Sequence, residues 1–168
     1  MIQIGDAKVL LYHGSNQIVD NPRLIEQNRF LDFGYGFYTT ANESQAEEFA
    51  KKVVLRRNGT PIVNIYELSE SVTGNLKVLR FSAPDETWLD FVVANRSGEY
   101  KGGKYDLIIG PVANDDVYRT VNVYLAGLIT KEEALQRLKV KKLFNQYVFT
   151  SESALTCLTF VEAKEVKI

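Results

Sequence analysis

A chain of 168 residues with 45% hydrophobic and 24% charged side chains has the size and balance of one globular domain, which excludes a disordered tail, a collagen-like repeat and a disulfide scaffold. Its formal net charge of −1 excludes a strongly basic nucleic-acid binder, leaving room only for a local patch. The one cysteine, Cys157, can build neither an internal disulfide nor a multi-cysteine zinc site, so no metal is expected. No apolar run approaches bilayer length, and Met1 to Asp6 lacks the cationic start of a signal peptide; a cytoplasmic location is the expectation.

No linker or repeat interrupts the sequence, which is read as one domain over residues 1–168. Lys8 to Tyr12 predicts a first strand, closed by a turn-like cluster at His13-Gly14-Ser15-Asn16. Gly34 and Gly36 flank Tyr35 in a tight turn that feeds a short strand, Phe37-Tyr38-Thr39-Thr40. Asn42 with Gln45 predicts a capping box opening a helix that Asn58-Gly59 ends. Ala46, Phe49, Ala50, Val53 and Val54 would form its apolar stripe. Strands are expected at Pro61 to Leu68 and Leu76 to Phe81, then a helix at Pro84 to Arg96 with Trp88, Phe91 and Val92 on one face. A strand at Tyr105 to Ile109 precedes helices at Asp115 to Ala126 and Thr130 to Leu138, the second opened by a Thr130/Glu133 capping box. Gln146 to Phe149, Ser151 to Leu158 and Phe160 to Val166 read as strand, short helix and strand. Without a strict βαβ rhythm the class is α+β.

Three segments carry chemistry. In Tyr12-His13-Gly14-Ser15, a glycine at a strand end lets a ligand approach the backbone, and the imidazole adds an orientable donor or acceptor. Phe33-Gly34-Tyr35-Gly36-Phe37-Tyr38-Thr39-Thr40 lacks the third glycine of a dinucleotide fingerprint, yet an aromatic, glycine-flanked strand suits a flat ring. Phe144-Asn145-Gln146-Tyr147-Val148-Phe149 taken alone is a core strand with a polar residue in it. Cys157 reads as a buried filler in an apolar helical stretch, and Lys139 to Lys142 as a solvated basic run.

Taken in order, these segments resemble the His-Tyr-Glu type of ADP-ribosyltransferase, the diphtheria-toxin and poly-ADP-ribose-polymerase group. The resemblance implies an ADP-ribosyltransferase-like fold of mixed, mostly antiparallel sheets with peripheral helices, and NAD as co-substrate. It implies that His13, Gly14 and Ser15 hold NAD, that Gly34, Gly36, Phe37, Tyr38 and Thr39 line the site, and that Tyr38 stacks on nicotinamide. Phe49, in the following helix, stands where the family closes the other side of the ring. Asn145-Gln146-Tyr147-Val148 is similar to the family's Asn-Glu-Tyr-Ile/Val strand, which puts Gln146 where the catalytic Glu stands and makes His13, Tyr38 and Gln146 the catalytic set. More closely, the whole chain resembles a bacterial family filed as a domain of unknown function, number 3990, through the Asp-Phe-Gly-x-Gly-Phe-Tyr segment and the Gly110 to Asp115 stretch. Members of that family often sit beside small partner genes, which implies a toxin–antitoxin arrangement with an antitoxin partner.

The implied function is mono-ADP-ribosyl transfer to a macromolecule, a protein sooner than a nucleic acid, with no membrane involved; the alternative is an inactive module that binds NAD, ADP-ribose or a protein. Gln146 separates the two. A carboxylate both accepts a ribose hydroxyl and attracts a developing cation, whereas an amide does only the first. At about 4 Å and an effective dielectric near 20, that difference is about 4 kcal/mol, roughly a thousandfold in rate. Glu152 could stand in only if the turn before it bends back. Asn114 and Asp115 either cap a helix or touch the acceptor.

Overall fold

The first predicted cap forms, with one change. The Asn42 side chain accepts from the Gln45 backbone N–H at 3.0 Å and opens α1, Glu43–Arg57. Thr40 takes over the reciprocal half of the box: its hydroxyl accepts from the Asn42 N–H and also bonds Gln45 Oε1. Asp85 caps α2, Glu86–Arg96, by accepting from Trp88 N–H, so this helix starts two residues later than the sequence predicts. The hydroxyl of Thr130 accepts from Glu133 N–H at the head of α4, Lys131–Lys139. Between them lies α3, Asp115–Leu125. In this computed structural model the described residues are 8–24, 31–111, 115–139 and 143–167. Asn114, expected as a cap or an acceptor contact, and Val140 to Lys142 of the basic run lie outside them; Lys139 is exposed.

Seven strands form one mixed sheet in the order β4-β5-β6-β2-β1-β3-β7. The strands are β1 Lys8–Ser15, β2 Phe37–Thr40, β3 Ile62–Ser69, β4 Val78–Arg80, β5 Leu107–Pro111, β6 Asn145–Phe149 and β7 Leu158–Glu165. Only β4 and β5 run parallel, which is why α2 lies between them in sequence as a crossover. The class is therefore α+β, as expected. β1 differs from expectation: His13-Gly14-Ser15 belongs to the strand, its pairing with β3 running from Lys8↔Ser69 to Ser15↔Ile62. Other boundaries move as well. β5 runs two residues past the predicted Ile109, α5 closes at Glu152–Leu155, β4 shortens to Val78–Arg80 and β7 begins at Leu158; a 3-10 helix that the sequence did not suggest spans Glu70–Asn75.

Two apolar layers sandwich the sheet. On one face α2, α3 and α4 pack Trp88, Leu89, Val92, Val117, Val121, Ala134 and Leu138 against Ile108 and Val148. On the other, Leu11, Phe37, Tyr66, Leu68, Leu107, Ile109 and Phe149 meet Ala154 and Leu155 of α5. Covered on both sides, β5 is buried along its whole length, which explains its unbroken Leu-Ile-Ile run. α1 lies over β1 and β3 through Ala46, against Val63 and Ile65. Here the predicted stripe holds except at Phe49, with Val53 and Val54 half-buried. Ala46 and Ala50 are the buried residues of α1, whereas Phe49 is 54% exposed. The small side chains let the helix backbone settle so close to β1 that a Cβ on Gly14 would stand 2.2 Å from Ala46 O and 2.8 Å from Ala50 N. Among the described residues, no helix is long and apolar enough to cross a membrane.

Candidate functional site

The three chemical segments lie on adjacent strands, β6, β2 and β1. β2 pairs with β6 along its full length, with Tyr38 opposite Val148 and Thr40 opposite Gln146. On its other edge it pairs with β1 at Tyr12↔Thr40 alone. Continued by register, Gly14 would face Tyr38 and Ser15 would face Phe37, but there the strands have separated. The backbone groups that Gly14 directs toward β2 therefore have no ladder partner there among the described residues, while those of Ser15 point to β3.

His13 spans the opening. Its Nδ1 lies 2.7 Å from the Tyr38 carbonyl oxygen. A carbonyl can only accept, so Nδ1 carries the proton and Nε2 of the neutral ring is left as an acceptor. Burial, only partly opposed by that hydrogen bond, holds the imidazole pKa below its ordinary 6.5 and keeps the ring neutral. The ring packs on Phe37 with centroids 4.3 Å apart. Alternation along the strands puts His13 with Leu11 and Phe37 on the α5 face, while Gly14, Tyr38 and Gln146 belong to the α1–α4 face. The predicted catalytic set thus shares neighbouring strands, with His13 approaching from the opposite side and reaching Tyr38 through its backbone.

Tyr38 is fixed at its tip. The Phe33 N–H donates to its hydroxyl oxygen at 3.0 Å, and the hydroxyl donates to the Gly34 carbonyl at 2.6 Å. Burial raises the phenol pKa far above its ordinary value, so Tyr38 has no part as a proton carrier near neutrality. The two glycines ahead of it are packing requirements. Gly34 has φ +80 and faces the Asn95 side chain, and a Cβ on Gly36 would sit 2.8 Å from Val148 Cγ1. Thr39 is buried with its hydroxyl donating to Tyr147 O at 2.8 Å, so that hydroxyl is engaged inside the sheet. Phe49, one turn from Ala46 on the helix that covers Gly14, leaves its ring in the open.

Gln146 is 4% exposed, and its Nε2 has no hydrogen-bond partner among the described residues. A buried amide donor without an acceptor is costly, about 1–3 kcal/mol. Glu152 does not compensate. It is exposed on α5, beyond the end of β6 opposite to Gln146. Cys157 is half-buried in the turn after α5 instead of inside a helix, and burial pushes its thiol pKa up, away from nucleophile chemistry.

One pair escaped the sequence reading. Arg96 Nε lies 2.8 Å from Asp32 Oδ1, with both side chains under 10% exposed, next to the turn that holds Tyr38. The N–H does not point straight at the oxygen, so the attraction is mainly coulombic. The residues are far apart in sequence and of ordinary type, so only the Asp of Asp32-Phe33-Gly34 offered any hint, as part of a motif without an assigned role.

Neither the curated proteins nor the solved structures contain a match to this sequence. A family model does match, over residues 9–160, and the chain belongs to the family described as "Protein of unknown function (DUF3990)".

Proposed function

We propose that the chain is an NAD-dependent mono-ADP-ribosyltransferase that modifies a macromolecule, a protein in preference to a nucleic acid, and that it acts as the toxin of a toxin–antitoxin pair. The observation that carries this reading is the parted β1–β2 seam, where His13, Gly14 and Tyr38 meet on adjacent strands next to Gln146. The residues there suit NAD chemically. His13 Nε2 is an acceptor for a ribose hydroxyl, the unladdered backbone at Gly14 matches the donor–acceptor pair of a carboxamide, and the orphan Gln146 N–H suits a hydroxyl oxygen. Tyr38 and the exposed Phe49 offer aromatic faces for a pyridine ring, each stacking contact worth about 0.5–1.5 kcal/mol.

NAD supplies a nicotinamide leaving group, whose departure frees ADP-ribose for an acceptor. The chain's own part is to bind and orient, since neither His13 nor Tyr38 is set up to exchange a proton at neutral pH. Gln146 orients a hydroxyl but brings no negative charge to the positive charge that develops on ribose, which makes transfer slow and disfavours chain elongation. That same neutral, buried amide favours a second reading, an inactive module that recognises NAD or ADP-ribose.

Calorimetric titration with NAD, followed by incubation with adenylate-labelled NAD and a cell lysate, tests both. Binding with transfer of label supports the transferase, and binding without transfer supports the module. The absence of any binding overturns the NAD reading. Gln146→Glu should raise nicotinamide release by up to about a thousandfold; unchanged release in a variant that still binds NAD refutes the electrostatic role given to this position.

A further inference from the structure

The hydroxyl of Tyr38 hangs on the turn Leu31–Gly34, closed by a Gly34 N–H to Leu31 O bond of 3.0 Å. What holds that turn lies on other elements. Phe33 is buried among Phe81 and Phe91, and Gly34 abuts the Asn95 side chain near the end of α2. Asp32 is tied to Arg96 on the same helix. Arg96 is itself oriented from α3, because its guanidinium lies 3.5 Å from the Tyr118 ring centroid and Nη1 donates to Asn122 Oδ1 at 3.2 Å. An ion pair this buried is a weak source of stability, and an apolar pair of equal volume would pack there as well. What a planar guanidinium held between Tyr118 and Asn122 adds is a fixed place for the positive charge, which keeps Asp32, and with it the peptide groups that follow, at one position.

We propose that Asp32 and Arg96, backed by Tyr118, are positioning residues that set the place of Tyr38 beside the parted β1–β2 seam by locking the turn that grips its hydroxyl. The effect on ligand rests on the reading of the seam as an NAD site; the locking of the turn does not. Arg96→Lys keeps the charge and removes the plane. It should speed hydrogen exchange of the Phe33 amide, which donates to Tyr38, at least tenfold, and weaken NAD binding at least tenfold by calorimetry. Tyr118→Leu should do both to a smaller degree. Leu89→Ala, a buried substitution on the same helix, should lower the melting temperature at least as far while leaving NAD affinity within about threefold. Should Arg96→Lys fail to fold, Asp32→Asn, nearly isosteric and neutral, gives the same two readings. Unchanged Phe33 exchange in Arg96→Lys overturns the proposal, as does an equal loss of NAD affinity in Leu89→Ala. If the unaltered chain binds no NAD, the reading of the seam fails, and Phe33 exchange alone still decides whether the pair locks the turn.

Discussion

The two edges of β1 are built differently. Toward β3 the register is continuous, from Lys8↔Ser69 to Ser15↔Ile62, backed by Tyr66 and Leu68 on one face and Val63 and Ile65 on the other. Toward β2 it consists of Tyr12↔Thr40, after which the strands part and an imidazole bridges the gap. The sealed edge holds the fold together. The open edge leaves polar backbone of β1 without a strand partner among the described residues, an arrangement that costs stability.

The sharpest way to break this contrast is at Gly14, which pairs with Val63 on the continuous edge and lies where the other edge has opened. Gly14→Ala would drive a methyl into the α1 backbone, which has no flexible tip to yield, and should destabilise the chain by about 3 kcal/mol or more in chemical denaturation. Stability within about 0.5 kcal/mol of the parent would show that α1 does not rest on β1 as described. Next, His13→Gln removes the bridge and should weaken NAD binding at least tenfold, about 1.4 kcal/mol, in a calorimetric titration. An unaltered affinity would separate the opening from the ligand. Phe49→Ala sharpens the picture from outside. With its ring exposed, it should cost about 0.5–1.5 kcal/mol of NAD affinity and leave the melting temperature nearly unchanged. A large drop in melting temperature would mean that Phe49 serves packing.

The smallest effect concerns pH. His13 has its pKa lowered in the folded chain, so between that lowered value and about 6.5 the unfolded chain binds more protons than the folded one. Stability should therefore rise as pH rises through this window, be fully present above about 6.5, and fall away on acidification. Denaturation curves from about pH 7.5 to 5 should show the fall, and His13→Gln should flatten it. An identical slope in the variant would assign the acid sensitivity elsewhere.

Local signals in the sequence carried well. Asn42, Thr130 and the Asn58-Gly59 stop describe real helix ends, because capping is settled within a few residues. Signals that depend on distant partners did not. Glycine at 14 reads as a turn from its neighbours, yet it is strand, required by a helix much further along the chain. The stripe on α1 failed only at Phe49, because close helix-to-strand contact admits Ala46 and Ala50 and leaves a bulky ring outside. The meeting of β6, β2 and β1 was not legible in periodicity, which says nothing about strand order. The Asp32–Arg96 pair had no local pattern at all, since two ordinary charges become a pair only after α2 has docked.

Trp88, the single tryptophan, is fully buried on α2, and its indole N–H donates to the Pro111 carbonyl at 3.1 Å. Pro111 ends the strand whose Gly110 lies opposite Gln146. The emission of this one fluorophore is thereby wired to the sheet margin beside the orphan amide, on the far side of the helical layer from bulk water. A wavelength change on adding nucleotide would report a displacement of that margin, read optically from inside the molecule and without any label.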